Sequence, residues 1–131
     1  MKITIPTDRK IFEGEIATYW IDDDGVLVSL SKSPRRTVEN IRGNIQLVNR
    51  ITNNRKLPLL IYLSPSPIPD KETRKFVNEQ LPHLYKAMAM VSKPGLASFI
   101  MNFLFRFKPP PIPMKNFTDD KEAKLWLTQF V

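Results

Sequence analysis

The sequence has no cysteine, one histidine and four glycines, and its acidic side chains are outnumbered by basic ones, 13 to 20. Without cysteine there is neither a disulfide nor thiolate chemistry, which fits a reducing compartment. One histidine and no thiol exclude the usual tetrahedral zinc sets. The four glycines form neither GxGxxG nor GxxxxGK[ST], so no glycine-rich phosphate loop is present. There is no long hydrophobic run. The most apolar stretch, 96–107, contains Asn102 and Arg106 and is too short to span a bilayer. Residues 1–20 carry Glu13 and Glu15 and no apolar core, so no signal peptide is expected. The expected location is the cytoplasm, with contact at the periphery of a membrane as a variant of it.

What is present suits one soluble domain: 131 residues, 42% hydrophobic and 25% charged. The net charge of +7 favours anionic partners in general. The basic residues are scattered, however, at Lys32/Arg35/Arg36, Arg55/Lys56, Lys71/Arg74/Lys75 and Arg106/Lys108. The charge therefore reads first as solubility and second as an electrostatic docking surface. Tyr19, Trp20 and Tyr85 occupy strand-like or core-like positions, so nucleic acid is not an expected partner.

Residues 1–14 read as an N-terminal arm or edge strand, and residues 15–131 as a single domain. EIATYWI (15–21) and VLVSL (26–30) are strands joined by the tight acidic turn Asp22–Gly25. Thr37 caps a helix with Val38, Ile41, Ile45, Val48 and Ile51 as its core stripe, in which Gly43 would allow a neighbour to approach closely. LPLLIYL (57–63) lacks alternation, as expected of a central strand covered on both faces. Asp70 caps a second helix that Pro82 should break or kink, and AMAMV (87–91) is a further strand.

A third helix is expected over 92–107, ended by Pro109–Pro111. Leu96, Phe99, Ile100, Phe103, Leu104 and Phe107 make its core face. A second stripe, Ala97, Met101 and Phe105, lies beside Arg106 and Lys108. Three readings of that stripe stand: contact with a second copy of the chain, peripheral membrane contact, or burial under Ile11 and Phe12. A short strand, Met114–Phe117, precedes a last helix capped by Thr118. The total is a mixed sheet of about five strands with about four helices.

Chemistry-bearing residues are few. Catalysis by His83 would require Ser64, Ser66 or Asp70 beside it in a cleft, and local spacing suggests no such constellation. No catalytic residue, cofactor or metal is expected. The three acids at 22–24 lack the spread of oxygen ligands of a calcium loop. Ser64 and Ser66 follow the central strand, where open α/β sheets bind ligands. Ser92 and Lys93 precede a helix start suited to an anion. These four are the candidate polar or anionic contacts.

The order of elements, LPLLIYL, ETRKF, AMAMV and above all NFLFRFKPPPIPMKNFTDDKEAKLWL resemble the bacterial SpoIIAA-like, or STAS-like, small α/β domains. The resemblance covers nearly all of the chain from Glu15 onward. It implies a non-catalytic regulatory or protein-binding module, here expected to self-associate. Some SpoIIAA-like proteins are compared with lipid-binding folds, which implies an alternative: an apolar ligand between the sheet and the 92–107 helix. Anti-sigma-factor antagonists carry an aspartate–serine pair at the start of the helix after the central strand. The corresponding loop here, YLSPSPIPDKET, departs from that pattern.

Overall fold

A computed structural model describes residues 3–93 and 110–131. Six strands form one sheet: β1 (Phe12–Glu13), β2 (Ala17–Ile21), β3 (Leu27–Ser31), β4 (Leu57–Tyr62), β5 (Tyr85–Val91) and β6 (Met114–Phe117). Their order across the sheet is their order in the chain. β1, β2 and β3 pair antiparallel, and β3 to β6 pair parallel. Helices α1 (Val38–Thr52) and α2 (Lys71–Leu84) are the crossovers between β3, β4 and β5. A third helix, α3 (Asp120–Leu127), runs into a short 3₁₀ turn at Thr128–Phe130. This is the mixed α/β architecture expected, with β1 as a sixth strand.

Turn chemistry sets the β2–β3 hairpin. Asp22 Oδ1 accepts from the backbone N–H groups of Asp24 and Val26, both at 2.9 Å. Gly25 supplies the left-handed backbone, φ 82°, that closes the turn. The acidic cluster is thus hairpin chemistry, and no set of three metal-ligating side chains occurs among the described residues. Arg9 fastens the N-terminal segment to the same turn, donating to the Ile21 carbonyl and to Asp23, each at 2.9 Å.

The helices start on designed caps. Thr37 Oγ1 accepts from the Asn40 N–H while Asn40 Oδ1 accepts from the Thr37 N–H, a reciprocal capping box. α1 ends on Asn53 in the left-handed region. Asp70 caps α2 through the Thr73 N–H at 2.8 Å. The cap of α3 is Asp119 rather than Thr118: its carboxylate accepts from the Lys121 N–H at 3.0 Å.

Two further expectations are corrected. α2 continues through Pro82 to Leu84. The proline lies in the last turn, so one lost hydrogen bond falls at the helix end, and the Tyr85 N–H still closes on the Leu81 carbonyl. β5 accordingly begins at Tyr85 and not at Ala87. Gly43 faces open space; close approach occurs at Gly14, where an added Cβ would lie 2.8 Å from Leu47 Cδ2.

Strand alternation divides the interior into two cores. On one face Ala17, Tyr19, Leu59, Met88 and Met90 meet Val48 and Ile51 of α1 and Leu81 and Leu84 of α2. On the other face Trp20, Val28, Leu60, Tyr62, Ala87, Ala89 and Val91 meet Ala123 and Leu127 of α3. Ile11 packs on this second face and Phe12 on the first. Between β4 and β5 the register shifts: Leu57 pairs with Tyr85, but Leu59 pairs with Met88. The extra residue on β5 turns both Tyr85 and Met88 to the first face.

Candidate functional site

The first face is not closed. Between the sheet, α1 and α2 lies a solvent-open cavity of about 130 Å³. Its apolar wall includes Ile41 and Ile45 from α1, Ile61 and Leu63 from β4 and its exit, and Val77 and Leu81 from α2. Burial along α1 records the opening. Val48 and Ile51 in the C-terminal half are buried, whereas Ile41 and Ile45 in the N-terminal half are only half-buried.

The polar lining comes in two groups. In the interior, the Tyr19 hydroxyl donates to Asn44 Oδ1 of α1 at 2.8 Å and interacts with the hydroxyl of Tyr85. Ser29 Oγ is buried and makes no hydrogen bond of good geometry, but it lies near enough to favour ionisation of Tyr19. Burial outweighs that help and pushes both phenols above their ordinary range. They are neutral hydrogen-bonding groups at physiological pH.

The second group gathers at the carboxyl ends of the parallel strands. Ser31 ends β3, Ser64 and Ser66 follow β4, and Arg36 precedes α1. Ser64 Oγ donates to the Ser31 carbonyl at 2.8 Å. The Arg36 guanidinium donates through Nη1 to the Lys32 and Pro34 carbonyls and through Nη2 to the Ile16 carbonyl and Ser31 Oγ. Partial burial holds its pKa below the usual arginine range, opposed weakly by Tyr19. Arg74 of α2 also lines the cavity and lies near the Asp70 carboxylate.

The structure thus brings Ser64 and Ser66 together on one rim. Ser92 and Lys93 are placed elsewhere: they follow β5 and are absent from the cavity lining. Ser92 is buried and its N–H extends the sheet by donating to the Phe117 carbonyl at 3.1 Å. Ala97, Met101, Phe105, Arg106 and Lys108, with the rest of the 94–109 stretch, lie outside the described residues. His83 is exposed in the last turn of α2, and Asp70 caps that helix at its other end. A 14-residue helix separates its two ends by about 20 Å, so His83 is remote from Asp70.

Tyr19, Asn44, Tyr85 and Arg36 were not singled out as a site from the sequence. One signal was available for Arg36. A cation next to a helix N-terminus opposes the helix dipole, so its presence there calls for another use.

Residues 19–131 match the family profile described as "Domain of unknown function (DUF7793)". The chain belongs to this family. No curated protein matches the sequence. The DUF7793 chain is similar in structure to an uncharacterised protein of the DUF3478 family from Shewanella loihica PV-4, which has a SpoIIAA-like fold. The two share 16% identity with a TM-score of 0.54, over 97% of this chain and 98% of that one. At that identity the likeness establishes the fold: a mixed α/β, SpoIIAA-like architecture. No helix among the described residues is long and apolar enough to cross a membrane.

Proposed function

We propose that this DUF7793 domain is a non-catalytic binding module whose first-face cavity takes a small, largely apolar ligand. The observation that carries the reading is the open cavity itself. On the second face α3 covers the buried Ala87 and Ala89 directly, whereas on the first Ile41, Ile45, Ile61 and Leu63 are half-buried around a space of about 130 Å³. Apolar surface left uncovered beside a few convergent polar groups is the usual composition of a ligand pocket. The space is near the size of the cavity of about 150 Å³ that accepts benzene in another protein. The position differs from the expected one, which lay between the sheet and the 92–107 helix.

The test is a heteronuclear NMR titration of the full chain with benzyl alcohol. Saturable shifts at Ala17, Ile45, Ile61, Leu63 and Val77 are the expected result. Shifts confined to the outer surface, or none at all, would remove the cavity as a binding site.

The module is also proposed to self-associate through Ala97, Met101 and Phe105, a reading supported by their stripe in the sequence. Light scattering should report a species larger than the monomer for the wild type and a monomer for a folded Phe105→Asp variant. A monomeric wild type would sink it.

A further inference from the structure

The cavity carries a charge imbalance that a purely apolar guest would leave unanswered. Among its lining residues are two guanidinium groups, Arg36 and Arg74, and no carboxylate. Arg74 has Asp70 near it. Arg36 has no carboxylate within ion-pairing distance among the described residues. Four of its five N–H groups are spent on neutral acceptors, three carbonyls and the Ser31 hydroxyl. These bonds fix the guanidinium in place without neutralising it. A cation drawn out of water and left without a counter-ion is costly, and the cost falls when an anion binds beside it.

The surroundings add to the same sign. α1 and α2 follow the carboxyl ends of β3 and β4, so both begin at this rim and direct the positive ends of their dipoles toward it. Arg35 and Arg36 precede α1, and Arg74 stands in the first turns of α2. The acids at the same helix starts, Glu39 of α1 and Asp70 and Glu72 of α2, do not line the cavity, so its own lining keeps an excess of positive charge. Inside, Ser29 Oγ is buried to 1% exposure without a hydrogen bond of good geometry. Ser66 stands on the rim with Ser64.

We propose that the ligand is a small monocarboxylic acid, its carboxylate at the Arg36–Ser31–Ser64 rim and a ring-sized apolar body between Ile45, Ile61 and Val77. This rests on the cavity-binding reading above and specifies its chemistry. The size follows from the volume, which is near that of a cavity that accepts a six-membered ring. The head group follows from the imbalance of charge. The site needs one negative charge; a dianion would leave an excess charge of its own in a half-buried place.

Isothermal titration of the full chain with benzoate and with benzamide, its neutral near-isostere, tests the assignment. Benzoate should bind at least about tenfold more tightly, the equivalent of one charge-assisted contact, and its advantage should shrink as salt is raised. Arg36→Gln should bring benzoate to the level of benzamide measured on the same variant. Because Arg36 ties four acceptors together, the wild-type ratio decides alone if that variant does not fold. Equal affinities for the two probes, with NMR shifts in the cavity, would overturn the carboxylate and leave an apolar-binding domain. Failure of both probes and of benzyl alcohol to bind would overturn the cavity reading with it.

Discussion

The two faces of the sheet are built from the same strands and come out differently. On the α3 face β5 presents Ala87 and Ala89, both fully buried. Such small side chains let a helix sit close, and Ala123 and Leu127 of α3 are fully buried in turn. On the α1–α2 face β5 presents Tyr85, Met88 and Met90. There the helices leave an opening, bordered by Ile41 and Ile45 of α1 and Val77 of α2. The lesson is that close packing in this domain is local. One face secures the sheet, and the other can give up part of its core for a pocket.

The comparison can be broken by matched truncations. Leu127→Ala on the closed face should lower unfolding free energy by about 2–5 kcal/mol, the range for a buried leucine. Ile45→Ala on the open face should cost clearly less, because Ile45 already borders empty space. Urea denaturation measures both, and equal losses would mean that the two faces are packed alike. A smaller contrast comes from enlargement. Ala89→Leu should destabilise by about 1–3 kcal/mol through overpacking. Val77→Leu should leave stability nearly unchanged and weaken binding of benzyl alcohol. A well-tolerated leucine at 89 would show that the closed face has slack.

The smallest effect concerns pH. Asp70 is held below the usual aspartate range chiefly by its hydrogen bonds with Thr73. A depressed carboxylate contributes stability above its unfolded pKa, and that contribution is lost as pH falls through the folded value. Wild type should therefore lose thermal stability on acidification more steeply than Asp70→Asn. That difference should be confined to the region below the unfolded aspartate pKa. Parallel curves would show that the cap carries no such linkage.

Much of the fold was legible in local chemistry. Asp22–Gly25 announced a hairpin, Thr37 and Asp70 announced helix starts, and the unalternating LPLLIYL announced a strand covered on both sides. Pro82 does not break its helix because proline's cost depends on position in the helix, which is set by where β5 begins. Thr118 and Asp119 are both good caps, and only the backbone chooses between them. Ser64 and Ser66 drew notice because they follow a parallel strand, and both line the cavity. The cavity itself was not legible. Ile41 and Ile45 have the periodicity of core residues, and nothing local to them records that the opposite wall stands too far away. Tyr19 and Tyr85 meet only through strand pairing and the β4–β5 register shift, which no short stretch of sequence encodes.

The order of strands across the sheet, identical to their order along the chain, bears on how the molecule comes into being. Each strand pairs with the one just before it, β3 through a hairpin and β4 and β5 through one helix each. No strand must be inserted between two that have already paired. Loop closures stay short in sequence, which favours fast folding for a sheet with parallel pairs. A chain emerging from its N-terminus can therefore add strands one at a time, and the cavity walls are in place once α2 and β5 have docked.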